Sequence, residues 1–275
     1  MTAVPGPSSR PSGGVMTWPA DGVPRGRVAL LHGVTSSSAT WWKVGPALAA
    51  AGWDVTAVDL AGHGEGPGLP AEGGDLATLV EAVVPRLPTG LTLLVGHSLG
   101  AIVALSVAAR HPGVARALVL EEPPGTVGGD AVQVADSIEA SALAVRADRE
   151  TFWQRVRLAN PDWADADVEG SVAALELTDT QTITRALRTG LSWDLPALVG
   201  AVEVPVLVVA ARQPEGAAGA GGGSALLGPD RQAVRRLVTE ARFVELDGGH
   251  SLHRAQPYRM VEIISGFGTS LVGSN

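Results

Sequence analysis

An apolar run, Leu91 to Val95, leads directly into Gly96-His97-Ser98-Leu99-Gly100, and a helix-forming stretch follows as far as Arg110, where His111-Pro112-Gly113 stops it. A strand that becomes a helix within five residues forces the central serine into a strained backbone conformation. It also brings neighbouring chain so close that the flanking positions have no room for a Cβ, which is the physical reason for Gly96 and Gly100. Such a turn lifts its hydroxyl above the C-terminal edge of a sheet. The rest of the chain therefore has to supply parallel strands with helices on their faces.

The pattern does so. Arg27 to Leu31, Trp53 to Asp59 and Ala117 to Leu120 are short apolar runs of the kind buried on both faces of a parallel sheet. Helical stretches lie between them at Trp42 to Ala51, Asp75 to Leu87 and Ser98 to Arg110. This alternation predicts an α/β fold with a doubly wound, mostly parallel sheet. It breaks from Asp130 to Leu191, where the segments read as helices, broken at Asn160-Pro161 and Gly190, and the region carries Phe152, Trp153, Trp163 and, just beyond, Trp193. Strands resume at Pro205 to Ala210 and Arg242 to Leu246, before a closing helix from about Gln256 to Phe267. The expected organisation is a frayed tail over 1–14, a core built from 15–124 and 196–275, and an inserted helical cap over 125–195. Gly and Ala dominate Glu215 to Gly228, so a mobile loop is expected there.

Bulk properties narrow the partners. A chain of 275 residues suffices for one such domain, and no apolar run approaches the ~18 residues of a membrane span. A net charge of −8 without a lysine- or arginine-rich cluster argues against nucleic acid and anionic membranes as partners. The absence of cysteine excludes disulfides, thiolate metal sites and a cysteine nucleophile. Met1 to Gly14 has no basic start followed by an apolar segment, so a cytoplasmic location is expected. No H-E-x-x-H or similar ligand cluster is present, and neither a metal nor a cofactor is called for.

A serine hydroxyl attacks only when a base takes its proton and donors meet the developing oxyanion. His250 lies in Leu246-Asp247-Gly248-Gly249-His250, just past the last predicted strand and at the sheet edge where Ser98 is expected. Of the other five histidines, His253 is the one rival base; His32, His63, His97 and His111 belong to turns or a helix end. For the oxyanion, Leu30-Leu31-His32-Gly33-Val34 ends the first predicted strand, and the amides of Val34 and Leu99 are the expected donors, each worth ~3–4 kcal/mol in enzymes where one has been removed.

These pieces, together with Asp59 and Gly62-His63-Gly64 after the second predicted strand, resemble the α/β-hydrolase superfamily over nearly the whole chain. The resemblance implies a helical cap above the sheet and hydrolytic chemistry, without naming a substrate. Many members carry an aspartate after the strand that corresponds to Pro205 to Ala210, but here that stretch reads Ala211-Arg212-Gln213-Pro214-Glu215. The end of the preceding strand offers Glu121-Glu122-Pro123, an arrangement that looks like the zearalenone lactonases, and Glu121 is the matching residue. Glu122 and Glu215 remain open as the acid. Trp41 and Trp153 are the expected substrate-facing aromatics. The predicted function is hydrolysis of a small apolar or aromatic carboxylic ester, with a lactone favoured through the Glu121 resemblance and an acyl-enzyme on Ser98. C–C bond hydrolysis and cofactor-free perhydrolysis use the same three residue types, and a silent member of the fold that binds a small ligand is the non-enzymatic alternative.

Overall fold

In the computed structural model, which describes residues 13–126, 131–212, 223–238 and 242–272, the apolar runs join one seven-stranded sheet. Its strands are β1 (Val15–Trp18), β2 (Gly26–Leu31), β3 (Trp53–Val58), β4 (Leu91–His97), β5 (Ala115–Glu121), β6 (Val206–Ala211) and β7 (Phe243–Leu246). They lie in the order β1-β3-β2-β4-β5-β6-β7; β1 is antiparallel to β3 and every other pair is parallel. The four-residue β1 falls where the sequence reading placed no strand.

The chain runs outward from β2 to β3 and returns to β4 on the other side of β2. Connections leaving the C-terminal ends of β2 and β4 therefore diverge, which opens a crevice at the sheet edge where Ser98 sits.

Side chains along the central strands alternate between two cores. Leu118 and Leu120 of β5 and Val206, Val208 and Ala210 of β6 face the layer that holds α2 (Leu76–Val83) and α3 (Leu99–Arg110). Ala117 and Val119 of β5, with Leu207 and Val209, face the layer that holds α1 (Val44–Ala50), α10 (Leu252–Ala255) and α11 (Pro257–Val272). Helix α3 is apolar all round, and Leu99 to Val107 are all buried in it, as befits a helix enclosed on every side.

Between β5 and β6 come α4 (Ala131–Ala147), α5 (Arg149–Ala159), α6 (Asp165–Glu176), α7 (Thr180–Thr189) and the short α8 (Leu195–Gly200). Asp148, Asp179 and Asp194 start α5, α7 and α8 by accepting the amides of Thr151, Thr182 and Ala197, contacts worth about 1 kcal/mol each. The insertion is fastened to the sheet side by buried Asp167, which accepts from the Trp42 indole at 2.9 Å and from the Lys43 ammonium at 2.5 Å. The Arg254 guanidinium lies 4.5 Å from the centre of the Trp163 ring and adds a second fastening.

Helix α9 (Gly228–Leu237) also escaped the sequence reading, because the glycine- and alanine-rich stretch before it masked the onset. Its signals were present: Pro229 and Asp230 in the first turn, and Arg235 and Arg236 in the last. Of the loop expected over Glu215 to Gly228, residues 215–222, including the candidate acid Glu215, lie outside the described residues, as do 1–12 of the expected tail. Among the described residues no helix is long and apolar enough to cross a membrane.

The junction of β4 with α3 is close enough to test. A Cβ at Gly100 would stand 2.5 Å from the carbonyl oxygens of both Leu31 and His32, backbone atoms that cannot swing aside. Gly100→Ala is expected to destabilise the fold by about 1–3 kcal/mol, read as a lower urea midpoint; an unchanged midpoint would mean that α3 can retreat from β2 freely.

Candidate active site

Ser98 stands alone between β4 and α3 with φ +53° and ψ −122°, a left-handed conformation that side chains rarely adopt. Its N–H donates to the Glu121 carbonyl at 2.9 Å, which ties the turn to the end of β5. Leu99 begins α3, so its N–H has no acceptor within the helix and is available to a ligand. Val34 approaches from the other side. The loop that carries it is shaped by His32, whose Nδ1–H donates to the Gly33 carbonyl at 2.7 Å while Nε2 accepts the Leu60 amide at 2.9 Å. Both ring nitrogens are thus assigned in a neutral imidazole, and burial holds its pKa below the ordinary value. Gly33 packs directly on the turn: a Cβ there would lie 3.0 Å from that of Ser98 and 2.8 Å from Nδ1 of His97.

The two glutamates at the end of β5 take two different histidines. Glu121 continues the alternation of Ala117 and Val119, so its side chain enters the layer that holds α10. There it accepts from the His253 amide at 2.8 Å and from His253 Nδ1 at 2.9 Å, with both side chains buried. Glu121 does not meet His250, and the sequence expectation for it is corrected on this point. Glu122 leaves the strand with φ +49°, and this turn rather than the pleat decides where its carboxylate goes. Oε1 accepts the Ala211 amide at 2.6 Å and the Ser224 hydroxyl at 2.8 Å; Oε2 accepts the Ala225 amide at 2.6 Å and His250 Nδ1 at 3.3 Å. The end of β6, where the common pattern carries an acid, here donates a backbone amide to Glu122 instead.

This bonding assigns the protons. With Nδ1–H turned to Glu122, His250 keeps a bare Nε2 on the cavity that it shares with Ser98. His253 donates from Nδ1 to Glu121 and accepts at Nε2 from the Thr40 hydroxyl at 2.7 Å, while Thr40 accepts from Arg254 Nε at 3.0 Å. Burial and the neighbouring Arg254 hold the His253 pKa well below the ordinary value, so it stays neutral and is no rival base. Burial pushes the Glu121 carboxyl upward, partly offset by the adjacent histidines. His97 donates from Nε2 to the His250 carbonyl at 2.8 Å, and its ring lies 4.8 Å from both His250 and His253. His97, which the sequence had placed only in the turn beside the site, thus steadies the loop that carries His250. His97, Glu121 and His253 bring ligand-type atoms within 4.8 Å of one another, but both nitrogens of His253 are already engaged and His97 Nδ1 faces Gly33. Within the cluster the hydrogen bonds join Glu121 to His253, while His97 is tied to the His250 carbonyl.

Ser98 and His250 open on a cavity of about 490 Å³ whose wall includes Val34, Leu99, Leu187, Trp193 and Leu227. Neither expected tryptophan reaches it. Trp41 is fully buried in the α1–α11 layer, its ring 4.5 Å from that of His253, because the 3-10 turn Ser38–Trp41 directs it beneath the site. Trp153 packs within the inserted helices beside Phe152 and Val156 and borders a separate surface hollow with Arg149 and Glu169. Trp193 is the tryptophan at the cavity, fixed by its indole N–H donating to the Gly125 carbonyl at 2.8 Å.

Comparison with known proteins agrees with this architecture. The family model for the alpha/beta hydrolase fold matches residues 26–213. The chain is 30% identical over 207 residues to a monoacylglycerol lipase of Mycolicibacterium smegmatis, covering 70% of this chain and 71% of that protein. It is 33% identical over 193 residues to a pimeloyl-[acyl-carrier protein] methyl ester esterase of Neisseria meningitidis, covering 66% of this chain and 73% of that protein. The solved esterase of Exiguobacterium antarcticum is similar in fold, with a TM-score of 0.69 at 18% identity over 93% of this chain and 94% of that one. The chain belongs to the α/β-hydrolase fold family and is a hydrolase.

Proposed function

We propose that the protein hydrolyses an apolar carboxylic ester through Ser98, His250 and Glu122. The observation that carries this reading is the single cavity shared by a strained serine at the head of α3 and a histidine whose far nitrogen faces a buried carboxylate. In the proposed reaction His250 Nε2 takes the Ser98 proton as Oγ adds to the acyl carbon. The amides of Val34 and Leu99 receive the oxyanion, and His250 returns the proton to the departing alcohol. Water, deprotonated by the same nitrogen, then releases the acid from the acyl-serine. Glu122 supports the positive charge that His250 carries between these steps.

Relatives named as a lipase and a methyl ester esterase support an ester over other acyl substrates. The lactone preference rested on Glu121, which serves His253 here, so simple esters lead and lactones become a branch of the test. An aryl alkanoate and an alkyl phosphonate fluoride serve as probes. Stoichiometric phosphonylation of Ser98, read as a single mass adduct lost in Ser98→Ala, together with turnover of the aryl ester, is the expected result. Adduct without turnover of esters or lactones would favour C–C hydrolysis, and ligand-induced stabilisation with neither would favour a silent binder.

A further inference from the structure

The cavity above Ser98 is unbalanced in charge. Apart from His250, the one ionisable side chain on its described wall is Asp230, in the first turn of α9; no described lysine or arginine lines it. Among the described residues no cation stands within ion-pair distance of Asp230, whose Oδ2 accepts the Thr126 amide at 2.6 Å. The nearby basic side chain of α9 is turned away: Arg231 is buried against the Ala211 and Leu226 carbonyls and the Glu245 carboxylate. The two segments that adjoin the cavity wall in sequence, 127–130 and 213–222, contain Asp130 and Glu215 and neither lysine nor arginine. Apart from Ser98 and Thr126 the remaining wall is mostly apolar, including Val134, Leu187, Leu227 and Trp193.

A carboxylate on a substrate that enters this space would leave water, find no cation and approach a second carboxylate. At separations of several ångströms and the effective dielectric of a partly buried site, that repulsion alone amounts to a preference on the order of ten- to a hundredfold against an anion. The same charge attracts a cation.

Resting on the ester-hydrolase reading, we propose that Asp230 is a charge filter: the site takes esters whose cavity-bound half is neutral or cationic and turns away those that carry a carboxylate. A purely structural role is the competing account, since an acid in the first turn of a helix complements the dipole and Asp230 fastens the 124–126 strap to α9. Asp230→Asn separates the two, because the amide oxygen still accepts from Thr126 while the charge is removed.

The experiment compares kcat/KM for 4-nitrophenyl hexanoate, its anionic counterpart mono-4-nitrophenyl glutarate and the quaternary 4-(trimethylammonio)butyrate ester. An ester with the carboxylate on the leaving phenol covers the opposite binding direction. The wild type is expected to favour neutral over anionic esters by at least about tenfold for the half that occupies the cavity, and to accept the cation at least as well as the neutral ester. Asp230→Asn is expected to narrow the neutral-to-anionic ratio by about tenfold or more. A ratio that Asp230→Asn does not move, with normal hexanoate turnover, overturns the filter and leaves the hydrolase reading standing. Absence of Ser98-dependent hexanoate turnover overturns the hydrolase reading and the filter with it.

Discussion

Glu122→Gln is expected to lower kcat about 10⁴-fold with the fold intact, whereas Glu121→Gln is expected to lower the thermal midpoint while kcat stays within about tenfold. The two residues are neighbours, both are buried, and each accepts from a histidine, so the contrast rests on which histidine faces Ser98. In Glu122→Gln the side-chain oxygen can keep one pair of its donors, but the amide NH₂ then confronts either the Ala211 amide or both the Ala225 amide and His250 Nδ1–H. In the second orientation the imidazole responds by adopting the other tautomer, which places a proton on the nitrogen that has to accept one from Ser98, and in both the negative charge that supports a protonated His250 is gone. In Glu121→Gln the conflict is with His253, which has no path to the serine, and an unsatisfied buried donor there costs about 1–3 kcal/mol of stability. Turnover and melting curves of both variants, measured beside Ser98→Ala, decide the matter. A collapse of kcat in a fully folded Glu121→Gln would transfer the orienting role to Glu121 and sink the role proposed for Glu122.

That pair of residues also marks where sequence reasoning reached its limit. The placement of the proposed nucleophile, base and oxyanion amides around one cavity was legible because each is bound to a local pattern: Ser98 and Leu99 to a strand that turns into a helix, Val34 and His250 to loops at the end of predicted strands. The carboxylate that meets His250 was legible only to within one residue. Strand alternation correctly sends Glu121 to the face of Ala117 and Val119, but which histidine waits on that face is a tertiary fact, set by the turn between β7 and α10. Glu122 reaches His250 through a positive φ that a non-glycine residue does not advertise. The tryptophans failed for a related reason. Trp41, Trp153 and Trp193 are equally apolar in sequence, yet only Trp193 stands on the segment that follows α7 past the Pro124 and Gly125 carbonyls into the cavity. Helix α9, which brings Asp230 to the same cavity, was hidden behind a glycine-rich run although its own ends are well marked.

Acidification is expected to destabilise this protein well before its surface carboxylates are titrated. His32, His63, His97 and His253 are all buried, and burial is the first cause that lowers the pKa of each, in His63 to about 3. In the unfolded chain each titrates near the ordinary histidine value of about 6.5. As pH falls through that value the unfolded state takes up protons that the native state refuses, so native stability declines by up to about 1.4 kcal/mol per pH unit for each such group. For His63 alone the loss reaches about 2 kcal/mol by about pH 5, and the other three act in the same direction. Glu121 opposes them, because its raised pKa lets the folded state bind a proton before the unfolded state does, but it is one group against four. Set against a total stability of order 5–15 kcal/mol, the His63 share alone is a sizeable fraction, so the folded state loses stability steadily between about pH 6.5 and about pH 5. Thermal midpoints by circular dichroism at about pH 7.5, 6 and 5 test this, and His63→Phe provides the control. That ring has one nitrogen, Nε2, buried without a partner, and its loss should flatten the decline by one proton's share. A midpoint that holds steady down to about pH 5 would mean that these histidines gain protons within the folded protein, and the neutral tautomers on which the His253 and His97 assignments rest would have to be given up.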